Sequence, residues 1–150
     1  MPKPTDPKDW THMFSDDIKF SQKALILHPI SQKILVLQRS LNSKTHPGYW
    51  DFPGGNVLYG QSAKKSILEE IQEETGLTLQ GYLTPLIVDG KMQEEHKFYR
   101  IFVGYLGKAN SENVTISSEH TSYKWLTKSE FMNLQTVDIL KEMVRRYGID

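Results

Sequence analysis

Apolar residues along this chain fall into short runs rich in β-branched and aromatic side chains, broken by proline, glycine and charged stretches. "KALILH" (23–28) and "KILVLQR" (33–39), with "PISQ" between them, predict two strands joined by a tight turn. "SLNSKTHPG" (40–48) is loop, and "YWDF" (49–52) predicts a short strand ended by Pro53-Gly54-Gly55. "LTPLIVDG" (83–90), "KFYRIFVGYL" (97–106) and "SYKWLT" (122–127) predict three further strands, with "KMQEEH" (91–96) as loop between the first two. Twice the pattern turns helical. Over 62–75, at about 100° per residue, Ile67, Leu68 and Ile71 share one arc with Ala63 at its edge, while Glu69, Glu70, Glu73 and Glu74 fill the rest. Ser62 suits the N-cap and Gly76 the left-handed residue that closes a helix. "TVDILKEMVRRY" (136–147) places Val137, Leu140 and Val144, and also Met143 and Tyr147, at helical spacing. Strands before and after a central helix predict an α/β fold: a mixed sheet with helices over its faces, in a single domain spanning 1–150. Residues 1–20 are polar and proline-punctuated, with Trp10, Met13 and Phe14 as the sizeable apolar groups before Ile18, and form a leading arm. That arm could pack on a second subunit, which would make the protein a homodimer.

Composition narrows the partners. Lys+Arg and Asp+Glu both total 18, so no overall field draws the chain to nucleic acid or to an anionic membrane. Lack of cysteine excludes a disulfide framework and a thiolate zinc site, and the start "MPKPTDPKDW" has no signal-peptide pattern, so the expected compartment is the cytoplasm. No apolar run approaches the roughly 20 residues of a membrane-spanning helix. His28, His46 and His96 lack metal-ligand spacing and are expected at the surface or as satisfied core groups.

The central helix is an electrostatic anomaly. Carboxylates three and four apart repel, and Glu73 and Glu74 also oppose the negative end of the helix dipole. The nearest cations in sequence are Lys64 and Lys65, a turn earlier. A solvated charged face would be one account of such a helix. A hard divalent cation reverses each penalty, because carboxylate oxygens are preferred ligands of magnesium and manganese. Magnesium keeps waters and recruits phosphates, which makes a phosphate ester or anhydride the natural substrate class. "GNVLYGQS" (55–62) is one residue from a P-loop, but Gln61 occupies the lysine position and leaves the phosphates without their main cation.

Set out by spacing, "GGNVLYGQSAKKSILEEIQEETGL" resembles the signature of the Nudix hydrolase family, G-x5-E-x7-R-E-U-x-E-E-x-G-U with U a bulky aliphatic residue. Gly55, Glu70, Ile71, Glu73, Glu74, Gly76 and Leu77 match in register, and "GYWDFPGG" and "EHTSYKWL" look like the flanks common in the family. The resemblance spans most of 23–147 and implies an α/β/α sandwich around a mixed sheet. It also implies hydrolysis of a nucleoside diphosphate linked to another group, such as a nucleoside triphosphate, a dinucleoside polyphosphate or a nucleotide sugar. Glu70, Glu73 and Glu74, with the Gly55 carbonyl, would hold magnesium or manganese. The general base would be Glu70, or Glu119 in the loop before "SYKWL", with His120 as its titratable neighbour. Two positions depart: Gln61 stands where the family has glutamate, and Glu69 where it has the arginine that helps hold the catalytic glutamate. Those departures support a competing reading, a nucleotide-binding module on this fold that senses a ligand with weak or no catalysis.

Other residues carry smaller expectations. Arg39, at the end of the second strand, could offer a bidentate fork to a phosphate, and Arg39, Lys64 or Lys65 could compensate the missing arginine in space. Tyr49, Trp50 and Trp125 could stack on a base or belong to the core. Gly54 and Gly55 suggest close backbone approach to metal or phosphate.

Overall fold

The computed structural model of the chain describes residues 18–95 and 97–148. Seven strands form one mixed sheet: β1 (Ile18–Leu27), β2 (Ile34–Arg39), β3 (Trp50–Asp51), β4 (Gly54–Val57), β5 (Leu79–Gln93), β6 (Phe98–Ala109) and β7 (His120–Leu126). Its order is β3-β2-β1-β6-β5, with β4 paired to β1 and β7 to β2, and β1–β6 is parallel while the other pairings are antiparallel. Three helices accompany it: α1 (Ala63–Thr75), α2 (Lys128–Met132) and α3 (Asp138–Tyr147).

The central strands are apolar at successive positions because both of their faces are covered. Leu25, Leu27, Ile34 and Val36 pack with Phe102, Phe131, Leu140, Met143 and Val144 on the side of α2 and α3. Their neighbours Ala24, Ile26, Leu35 and Leu37 point the other way, onto Ile67 and Ile71 of α1 and onto Leu77. This is the α/β/α sandwich expected, and the period-two reversal explains why β1 and β2 read as continuous apolar runs.

Several boundaries shift. β1 begins at Ile18, so 18–20 belong to the sheet rather than to the arm, and residues 1–17, with Trp10, Met13 and Phe14, lie outside the described residues. Lys91–Gln93, expected as loop, extend β5, and β6 continues to Ala109, because two long antiparallel partners satisfy each other's backbone whatever their side chains. Gly54 and Gly55 do not merely end a strand but open β4, pairing with Lys23 and Gln22. A Cβ on Gly54 would stand 2.0 Å from the Gln22 carbonyl oxygen, and its φ of 151° is open chiefly to glycine, so this position is required by contact with β1. The five-residue α2, opened by a capping box between Thr127 and Glu130, is too short to show a helical period. Among the described residues no helix is long and apolar enough to cross a membrane.

Candidate functional site

α1 is capped as its ends predict: Ser62 accepts a hydrogen bond from the Lys65 N–H, and Gly76, at φ 71°, donates to the Gln72 carbonyl. Its faces are arranged differently from the aliphatic pattern. Leu68 is exposed, whereas Glu74 is buried on the same stripe as Ile67 and Ile71, at i, i+4 and i+7. Glu74 accepts a 2.8 Å hydrogen bond from the Gly54 N–H. Burial pushes its carboxyl up to about 8, aided by the charges of Glu70 and Asp51 and opposed by Lys23 and the Gly54 bond. One turn earlier, the Glu70 carboxyl lies 3.2–3.4 Å from where a Gly55 Cβ would stand, so glycine leaves the space this carboxyl occupies. Burial, then the charges of Glu73 and Glu119, raise the Glu70 pKa. Glu73 is exposed.

A distant segment completes the cluster. β7 pairs with β2 so that His120 stands opposite Arg39, after a bulge in which Thr121 has no partner. Such a bulge re-aims the side chains beside it. Ligand atoms of Glu74, Glu119 and His120 lie within 4.8 Å of one another, although 45 residues separate the first two in sequence (119 minus 74). His120 is buried, and among the described residues its Nδ1 has no hydrogen-bond partner. Burial lowers its pKa, which favours the neutral ring with an available lone pair.

Lys23 and Asp51 were not singled out by the sequence reasoning. Asp51 Oδ2 accepts from Lys23 Nζ at 2.9 Å and from Arg39 Nη1 at 3.1 Å, while its Oδ1 accepts from the Phe52 N–H. The Lys23 charge acts on both Glu70 and Glu74, which makes it the amine that offsets the helix carboxylates. In sequence it is one lysine before an apolar run, and only the β1–β4 pairing brings it beside the helix. Arg39 also donates to the Thr45 carbonyl and hydroxyl, tying the 40–48 loop to β3. Lys65 makes an exposed 3.8 Å pair with Glu69, away from the cluster.

Lys23, Arg39, Asp51, Gly55, Glu74, Glu119 and His120 line a cleft of about 860 Å³, whereas Glu70 and Glu73 of α1 are not among its lining residues. Trp50, Phe102 and the start of α3 line it as well. Gln61 and Glu69 instead border a separate depression of about 220 Å³, where Gln61 accepts from the Leu58 N–H. Trp125 is structural: its Nε1–H donates to the Glu112 carbonyl and its ring meets His28 edge-on. His28 accepts from the N–H groups of Ile30 and Ser31 and bonds Glu112, a satisfied group as expected. His46 is exposed beside Tyr49, and His96 lies outside the described residues.

Among curated proteins, the chain is 40% identical over 57 residues to an m7GpppN-mRNA hydrolase of Xenopus laevis, covering 38% of this chain and 19% of that protein. It is 32% identical over 109 residues to an uncharacterized Nudix hydrolase of Bacillus subtilis, covering 68% and 63%. It thus spans less than two thirds of either relative. A crystal structure of a MutT protein from Methanosarcina mazei superposes with a TM-score of 0.74 at 27% identity, covering 87% of this chain and 93% of that one. Residues 21–147 match the NUDIX domain, and the chain belongs to that family.

Proposed function

We propose that this protein is a divalent-metal-dependent pyrophosphohydrolase acting on a nucleoside diphosphate linked to another group. The observation that carries this reading is the meeting of the α1 carboxylate Glu74 with Glu119 and His120, on the wall of a cleft that also presents Lys23 and Arg39. The donor set fits magnesium or manganese: carboxylate oxygens predominate, and Gly55 leaves room beside Glu70. Glu70, Glu73 and Glu74 would hold the ion together with the Gly55 carbonyl, and Glu119 and His120 stand beside Glu74. When bound, the ion would neutralise pyrophosphate oxygens and lower the pKa of a coordinated water. Glu119 is exposed at the cleft and would take the proton of the attacking water. Glu70 is tied more closely to its neighbours' charges and would act mainly as ligand. Arg39 would lend charge to a phosphate while its bonds to Asp51 and Thr45 keep it oriented.

The sensing alternative rests on Gln61 and Glu69, and both stand outside the carboxylate centre. Catalysis is therefore favoured over binding alone. A screen of nucleoside diphosphate derivatives with magnesium or manganese, reading released phosphate, pyrophosphate and mononucleotide, tests the class and the bond cleaved. In Glu119→Gln, turnover on the best substrate is expected to fall about 10²–10⁴-fold with manganese affinity kept, whereas Glu70→Gln is expected to lose both. Absence of hydrolysis with either ion, or parental turnover in both variants, would overturn the reading.

A further inference from the structure

The β-ladder registers place three cations side by side. Lys19 of β1 is opposite Arg100 of β6, and Arg100 is opposite Lys91 of β5. Cross-strand partners share a face, so the three form one row, about 10 Å long at a strand spacing of about 4.8 Å. The next row inward is Ser21, Phe102 and Asp89, and the one after it Lys23, Gly104 and Ile87. Phe102 and Ile87 pack toward α3, so the row lies on the α3 face of the sheet, and among the described residues all three side chains of the row are exposed. Lys91 and Arg100 line the same cleft as Lys23 and Glu74. Lys19 and Lys23 are four positions apart on β1, about 13 Å of strand.

Like charges directly opposite one another destabilise a sheet. Among the described residues no carboxylate forms an ion pair with any of the three, and Asp89, one row inward, stands opposite Phe102. Arg100 rests instead over the Phe98 ring at 5.4 Å. Protection of an exposed edge accounts for a lysine on β5, which ends the sheet order. It does not account for Arg100, whose strand is paired on both sides by β1 and β5.

We propose that Lys19, Arg100 and Lys91 form an anion subsite that holds a phosphate of the substrate not itself cleaved, selecting nucleotides with a chain of phosphates over diphosphates joined to an uncharged sugar. This assignment rests on the pyrophosphohydrolase reading for the orientation of the substrate, with its scissile anhydride at the carboxylates and its further phosphates running along β1 toward the row. An anion there removes the mutual repulsion of the three side chains, and the guanidinium can take two phosphate oxygens at once.

The test compares the parent with Lys91→Gln/Arg100→Gln and with Lys19→Gln, all at exposed positions. With magnesium, the parent is expected to prefer diadenosine tetraphosphate to ADP-ribose. The double variant is expected to lose about 10-fold or more in kcat/KM for the tetraphosphate, mainly through KM, and no more than about 3-fold for ADP-ribose. Lys19→Gln is expected to change in the same sense by a smaller factor. Urea stability should equal or exceed the parent's, since the substitutions relieve repulsion. Equal losses on both substrates, or unchanged discrimination, would overturn the subsite. If the parent hydrolyses neither compound, nor any other nucleoside diphosphate derivative of the screen, with magnesium or manganese, the pyrophosphohydrolase reading fails, and calorimetric binding of inorganic tripolyphosphate to metal-free protein decides the subsite alone. About 10-fold weaker binding in the double variant supports it, and parental affinity overturns it.

Discussion

One carboxyl group holds two cations of the cleft together. Asp51 is buried, yet its Oδ2 accepts from both Lys23 and Arg39. Burial alone would push its pKa up, but the two cations together outweigh burial and hold it below the ordinary carboxylate value of 3.8. A depressed carboxyl stabilises the fold above its unfolded-state pKa and loses that contribution as pH falls through the folded one. Asp51→Asn should therefore cost about 3 kcal/mol at neutral pH, near the lower end for removing one member of a buried pair, because Lys23 and Arg39 remain partly solvated. Urea titrations of parent and variant should differ by this amount at pH 7, begin to converge near pH 3.8 and meet only as pH falls through the lowered folded-state pKa. A difference that persists undiminished into acid would mean that Asp51 acts through packing and its bond to Phe52 rather than through charge.

α1 shows what a periodic pattern reveals and what it conceals. Its extent and both caps were legible because Ser62, Gly76 and the spacing of Ile67 and Ile71 are local signals. The inward turn of Glu74 was not, since a carboxylate on an apolar stripe reads as solvent-facing until β4 supplies a backbone N–H for it. β4 was hidden behind its two glycines, and the last residues of β5 behind their polar side chains. The pairing of Lys23 with Asp51 depends on strands 28 residues apart in the chain, where no local spacing can show it. The buried Glu74 makes the metal-free helix pH-sensitive. Its folded pKa, about 8, exceeds the ordinary 4.5, so the folded state holds this proton more tightly and stability falls as pH rises from about 4.5 to 8. Glu74→Gln can keep the bond from Gly54 without the charge. In chelator-treated protein the variant should be more stable than the parent by about 2 kcal/mol or more at pH 8.5 and nearly equal to it at pH 4. Chemical denaturation at both values measures the difference, and a variant less stable than the parent at pH 8.5 would show that the Glu74 charge is compensated without a cation.

Across the whole molecule, equal totals of acidic and basic residues conceal a segregated charge distribution. Carboxylates gather where α1 meets β4 and β7, Lys23 and Arg39 converge on Asp51, and Lys19, Arg100 and Lys91 lie across the sheet beyond them. Balanced composition argues against a general polyanion partner but leaves room for a cleft that attracts a divalent cation at one end and phosphate along its length. A cation that binds only the folded state raises thermal stability by mass action: at 100 times its dissociation constant the gain is about 2.7 kcal/mol, or roughly 8 °C for a domain of this size. Since burial holds a proton on Glu74 up to about pH 8, the ion must displace that proton, so the manganese-induced rise in Tm should be larger at pH 8.5 than at pH 6. Glu73→Gln/Glu74→Gln should abolish most of the rise at both values while raising the Tm of the metal-free protein, because the same substitutions remove the repulsion that the ion offsets. Differential scanning calorimetry with manganese and with chelator separates these effects. A double variant that keeps the parent's manganese-induced shift would place the cation away from Glu73 and Glu74.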